Sequence, residues 1–600
     1  MNLRWTCAVA MLAVSAAAAA QPVTAAEPSA VDRDTQRYRF KLERNFFPSP
    51  EAEAAARGEV LRAADELTAL AGKLDSASSL LKAFEVDDRM QRLFRRHDLY
   101  HFLRYATDIR REDGLRVADE LRGKVRAARQ ALRRAVTARD DAWISSAITA
   151  QPTLARYRFW IDTARREARH TLGPEQQAVV SALEPLLGAR DYPRIVSALK
   201  FGTVEAGGRR LDASRDRSEI EASPSPEVRR EGERQLFAGY ASQRELLAHM
   251  LVQTIEVHDA IARLKGHGSA LGEATFGAYV TPAHFEAVLA EVARHGATYK
   301  EWQRKAADPF AIARRWTASQ AAAAVTASAA PLGPAYQREY ADLLDPKLGR
   351  ADLAGGDHRL PMMGTASVYP TGSSAIYMNA FEGGLLDLIV LAHEGGHAVQ
   401  AQLMFRNGVP MAYAAGPGYF TESFGRFQEL LLLDHLHGAA RTPEEKKRMR
   451  DAFAARLLSV FPSAEEASVE LALHKAVGEG KARTADELDA ITAASGAPYS
   501  VEYERTPERR GLWQLAEGYF MAPLQELNDA YASLLSIRYF QLYRRDPKAF
   551  RAAYLALLSN GYSAEPGQLL QRHLGFDMMA PEFTRETMEA LEAQLEALYR

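Results

Sequence analysis

The sequence predicts a mainly α protein: a large helical body with a small antiparallel sheet beside one apolar helix. Three observations predict it. Apolar residues recur at three- and four-residue spacing through most of the 600 residues, which is the period of a helix with one buried face. Hydrophobic residues make up 47% of the chain and charged residues 25%, enough for a large packed core and too apolar for disorder. Strand-like patterning is confined to two short stretches.

From the N-terminus, residues 1–26 read as an export signal. Arg4 is the only early charge, an apolar run extends from about Cys7 to Ala20, and small residues offer cleavage after Ala20 or Ala26. The run is too short and too alanine-rich to favour a permanent membrane span. Cys7 is the single cysteine, so the mature protein gains nothing from disulfides and depends on its core. The expectation is an exported protein, periplasmic or secreted, with no later membrane segment. A net charge of −2 gives no general attraction to nucleic acid or to anionic membranes.

Residues 49–109 and 114–148 follow with helical periodicity and solvated charges between the apolar positions. The same pattern fills 225–266, where Ser223 or Ser225 can cap the helix start. The run "SQAAAAVTASAAP" (319–331) reads as an Ala-rich helix rather than a linker. The strand candidates are 192–211 and 359–381. The second carries Pro370, Thr371 and Gly372 between two β-prone pieces, so it predicts the antiparallel sheet. An N-terminal helical region (27–215) and a second region (216–600) are expected to pack as one unit.

Residues 391–400, "LAHEGGHAVQ", contain His-Glu-x-x-His. On a helix over 384–405, His393 and His397 are four residues apart and share a face, so two imidazoles can meet one Zn²⁺. Glu394 is turned to reach a water as general base. A zinc site needs a third protein ligand. The next helical stretch, "GYFTESFGRFQELLLLDHL", carries Glu422, 29 residues after His393, and Glu429 two turns further on. Glu422 is the expected third ligand. Glu429 is expected behind a histidine, accepting its second ring N–H. Four unpaired polar groups on such apolar helices would be costly. Gly395 and Gly396 each cost roughly 0.5–1 kcal/mol in a helix interior, which a close approach of another backbone or of substrate would justify. Gln400 stands where a third motif histidine would be. His435 and His437 are assigned to the surface or to supporting roles.

This motif pair resembles the thimet oligopeptidase and oligoendopeptidase F family of zinc metallopeptidases, closest to the oligoendopeptidase F branch. "LYHFLRYATDIRREDG", "HDAIARLKGHGSALGEA" and "YLALLSNGYSAEPGQLLQRHLGFDMMAPEF" are similar to that branch along most of the mature chain. The resemblance implies a helical body split by a deep channel, one Zn²⁺ per chain within 384–435, short unfolded peptides as substrates, and the strand region lying along the cleft. It also implies a His and Tyr clamp for the oxyanion in a C-terminal segment that aligns with 513–535. There Gly518 stands in place of the histidine and Gln525 in place of a tyrosine. Tyr519 and Tyr531 remain as candidate phenols. Removing one oxyanion donor costs about 10²–10³ in rate, so a zinc-containing peptide-binding protein with impaired turnover is the second expectation. A dipeptidyl carboxypeptidase of the angiotensin-converting type, which also pairs HExxH with a downstream Glu, is the third.

Overall fold

The computed structural model describes residues 30–183, 191–221, 223, 225–305, 314–362, 364–367, 374–379 and 381–600. The export signal and the turn at Pro370–Gly372 lie outside them. The structure is 74% helical, with two very small sheets among the described residues, the mainly α class that the apolar periodicity predicts.

The 49–109 stretch forms two helices, Pro50–Ala71 and Ala77–Thr107. Ser49 caps the first by accepting from the Ala52 N–H at 3.3 Å, and Ser76 caps the second through Ser79. Both pack against the Asp113–Thr137 helix around Val60, Leu67, Leu80, Phe84, Leu121 and Leu132. The 225–266 stretch also breaks, into Pro226–Ala241 and Arg244–Leu264. Ser225, rather than Ser223, is its cap, 3.3 Å from the Val228 N–H. The Ala-rich run is helical over Ala318–Ser328.

The first strand candidate is half right. Thr203–Ala206 and Arg209–Asp212 form an antiparallel hairpin. Gly207 and Gly208, at φ 58° and 75°, supply the left-handed conformation of its two-residue turn. Tyr192–Ala198, however, is a helix. Pro193 suits a first helical turn, and the buried Tyr192 hydroxyl donates to the Gln514 carbonyl at 2.7 Å, so packing overrides the β preference of Ile195 and Val196.

The second candidate gives Thr365–Ser367 antiparallel to Ala375–Tyr377, with Thr365 opposite Tyr377. A third strand, Ala351–Asp352, joins the other edge in parallel, Ala351 opposite Ile376. The Leu385–Arg406 helix packs on this sheet. Its main helical neighbour, the Gly418–Ala439 helix, runs against the Glu526–Arg545, Pro443–Leu457 and Ala318–Ser328 helices. The main core forms around these elements. The N-terminal helices reach it through the loop after Leu385–Arg406: Arg92 donates to the Val409 carbonyl at 2.8 Å, and Asp88 accepts from the Met411 N–H at 2.6 Å. Among the described residues, no helix is long and apolar enough to cross a membrane.

Candidate metal centre

Leu385–Arg406 is buried on nearly every side, from Leu388 to Gln402. Asp387 holds its start, accepting from the Glu382 and Gly384 N–H groups at 3.0 Å each. The two glycines are placed by close packing. A Cβ on Gly395 would lie 2.2 Å from the Tyr340 ring, whose hydroxyl donates to the Ala392 carbonyl at 2.8 Å. A Cβ on Gly396 would lie 3.2 Å from the Gly425 Cα of the second helix. Gly425 in turn faces the His393 ring, 2.7 Å from where its own Cβ would be. Backbone approach between the two helices therefore accounts for Gly396 and Gly425, and an aromatic ring accounts for Gly395.

That approach brings three donors together. His393 Nε2 lies 3.1 Å from His397 Nε2 and 3.2 Å from Glu422 Oε2, and His397 Nε2 lies 3.6 Å from Glu422 Oε1. The imidazole planes stand 86° apart. Bonds of about 2.0 Å to a tetrahedral zinc would set donors roughly 3.3 Å apart, so the spacing and the N₂O donor set both fit Zn²⁺. His393 and His397 are buried and Glu422 is half-buried. The spacing-based pairing of Glu429 also appears in the geometry: its Oε1 lies 2.6 Å from His393 Nδ1.

The electrostatics favour a cation. Burial alone would lower the His393 pKa, but its bonds to Glu422 and Glu429 raise it to about 10. Burial holds His397 down at about 4. Burial pushes Glu422 up, yet the two histidines outweigh it and hold the carboxyl at about 2. Glu394 is fully buried, and its Cγ would lie 3.4 Å from a Cβ on Gly364, just before the Thr365–Ser367 strand. The sheet thus borders the base candidate.

The two tyrosines have other partners. The Tyr519 hydroxyl donates to the Glu466 carbonyl at 2.7 Å, and the Tyr531 hydroxyl sits 2.6 Å from His284 Nδ1. Neither bonds to the trio. A Cβ on Gly518 would meet Glu526 Oε1 at 3.0 Å, so a carboxylate borders that position. Gln525 precedes the Glu526–Arg545 helix as its N-cap residue, without a side-chain cap bond. His435 and His437 are half-buried.

Sequence reasoning missed three supports. Arg456 pairs with Glu429 Oε2. Arg426 pairs with Asp529, tying the second motif helix to Glu526–Arg545. The Tyr562 hydroxyl bridges Thr421 at 2.7 Å and Gln400 at 3.0 Å, joining the two motif helices. These partners lie far along the chain and carry no local signature.

The family model described as Oligopeptidase F matches residues 137–191. No curated protein matches the chain. Among solved structures, a "putative peptidase" from Chlamydophila abortus shares 18% identity at a TM-score of 0.77, covering 94% of this chain and 98% of its own. Oligoendopeptidase-F from Enterococcus faecium shares 17% identity at a TM-score of 0.61, covering 90% and 96%. PZ peptidase A with an inhibitor shares 14% at 0.68, covering 94% and 99%. At these identities the neighbours establish the fold. The matched segment, residues 137–191, is similar to the corresponding part of Oligopeptidase F.

Proposed function

We propose that this chain is an exported zinc metalloendopeptidase that hydrolyses short unfolded peptides. The convergence of His393, His397 and Glu422, with their donor atoms all within 4.8 Å of one another, carries the reading. These three residues would hold Zn²⁺. When bound, the metal lowers the pKa of a water and polarises the scissile carbonyl. The Glu394 carboxylate takes a proton from the attacking water and passes it to the leaving amine. Glu429 fixes the His393 ring by accepting at Nδ1, and Arg456 holds Glu429 ionised. The Thr365–Ser367 edge, beside Glu394, offers backbone groups to an extended peptide.

The same proposal takes 27–215 as one wall of a substrate channel and 216–600 as the wall that bears the metal. The channel would exclude folded proteins. Export to the periplasm or beyond rests on the composition of residues 1–26, and recovery of the protein from the cytoplasm with Met1–Ala20 attached would refute it. Gly518, Gln525 and the engaged tyrosine hydroxyls favour one other reading, a zinc-containing peptide-binding protein with impaired turnover.

The mature protein incubated with amidated, internally quenched peptides tests the proposal. Internal cleavage of the peptides, with a folded protein left intact, is the expected result. Bound zinc and retained peptide without cleavage would select the binding-protein reading. An amidated C-terminus also blocks a carboxypeptidase, so cleavage excludes that mode.

A further inference from the structure

A second group of metal-ligating side chains lies in the N-terminal helices. His97 and His101 are four residues apart on Ala77–Thr107, and Glu53 comes from Pro50–Ala71. The architecture matches that of the HExxH trio, with two imidazoles from one helix and a carboxylate from the next. His97 Nδ1 lies 3.1 Å and His101 Nε2 3.2 Å from Glu53 Oε1, and one donor atom from each residue falls within 4.8 Å of the others. All three residues are buried.

His101 Nε2 shares a hydrogen bond with Glu53 Oε1, whereas the His97 Nδ1 contact to the same oxygen is short but not aligned as one. Neither nitrogen of His97, which is 0% exposed, has a hydrogen-bond partner among the described residues. A buried imidazole that makes no hydrogen bond is costly. A misaligned nitrogen–oxygen contact of this length fits two lone pairs that point at a common third atom. His393 Nε2 and Glu422 Oε2 show the same spacing, 3.2 Å.

The surroundings fix the ligands. Phe47 lies against the His97 ring at 4.6 Å, and a Cβ on Gly114 would come within 2.6 Å of His101 Nδ1. Arg57 stands 3.8 Å from Glu53 Oε2, leaving Oε1 to face both imidazoles. Burial lowers the pKa of both histidines, against the pull of the Glu53 carboxylate.

We propose that Glu53, His97 and His101 form a second, structural site for a zinc-type divalent cation, which pins Pro50–Ala71 to Ala77–Thr107. Two imidazoles and a carboxylate suit Zn²⁺ over Mg²⁺ or Ca²⁺, which require mostly oxygen donors. The site is independent of the peptidase reading.

Metal-stripped full-length mature protein, titrated with Zn²⁺ against a competing chelator, provides the test. Wild type is expected to bind two equivalents. His397→Gln should keep one, and so should His97→Gln/His101→Gln, with peptide cleavage intact in the latter. Zn²⁺ should still raise the melting temperature of His397→Gln, and that shift should vanish when both N-terminal histidines are also replaced. One equivalent in wild type overturns the proposal and leaves a purely hydrogen-bonded His–Glu–His cluster. Two equivalents retained in His97→Gln/His101→Gln overturn it as well. If that variant fails to fold, a zinc-edge anomalous map of wild-type crystals decides: a peak between His97 and His101 supports the site, and its absence refutes it.

Discussion

His393 Nδ1 lies 2.6 Å from Glu429 Oε1, and the other oxygen of Glu429 is paired with Arg456. One carboxylate thus meets both the His393 ring and a half-buried guanidinium. Glu429→Gln is expected to weaken zinc binding by about 10–100-fold, the usual cost of losing such a support. It also removes the partner of half-buried Arg456, so urea unfolding should show a loss of about 1–3 kcal/mol. Unchanged zinc affinity in a chelator competition would show that the contact does not hold the ring.

Gly395→Ala removes a helix-destabilising residue, a gain of about 1 kcal/mol by propensity alone. The new Cβ would lie 2.2 Å from the Tyr340 ring, an overpacking that costs about 1–3 kcal/mol and disturbs the bond to the carbonyl of Ala392, the residue before His393. Net destabilisation in urea, with weaker zinc binding, is expected. A more stable variant would mean that the ring yields freely.

Tyr519 and Tyr531 must each release a present partner before holding an oxyanion. Single Tyr→Phe variants are therefore expected to lower kcat by less than about tenfold and stability by about 1 kcal/mol. A fall of about 10²–10³ in kcat for one of them would identify that phenol as the oxyanion donor.

Glu470 is buried near Glu466 and Glu526. Burial pushes the Glu470 carboxyl up to about 8, against donation from the Leu524 and Glu526 N–H groups. Burial and the neighbouring Glu465 push Glu466 up to about 7. Both therefore favour the protonated form in the fold. Their stabilising contribution is complete below the unfolded value of 4.5 and is lost as pH rises through about 8. Urea unfolding across that window should show stability falling with pH, and Glu470→Gln should flatten the fall. An unchanged slope in that variant would place the titration elsewhere.

The sequence made the convergence of His393, His397 and Glu422 legible because its signals are local. His393 and His397 share a face by spacing alone, and Glu422 and Glu429 repeat two turns apart on the next amphipathic stretch. The same spacing was present at His97 and His101, but nothing nearby suggests Glu53, which lies on another helix. Periodicity also runs through short breaks, so the interruptions at Gly72–Asp75 and Ser242–Gln243 were invisible until caps and packing were seen. At Tyr192–Ala198 the β-branched residues pointed to a strand, while a long-range bond to Gln514 favoured a helix. Tyr340, Arg456 and Tyr562 support the site from far along the chain, where no local pattern marks them.

Zinc content and peptide cleavage, measured together on wild type and Glu394→Gln, decide whether this chain is a working peptidase. Equal zinc in both proteins, with cleavage slowed by about 10²–10⁴-fold in Glu394→Gln, is the predicted result. Equal zinc with no cleavage by wild type, or undiminished cleavage by Glu394→Gln, would contradict it.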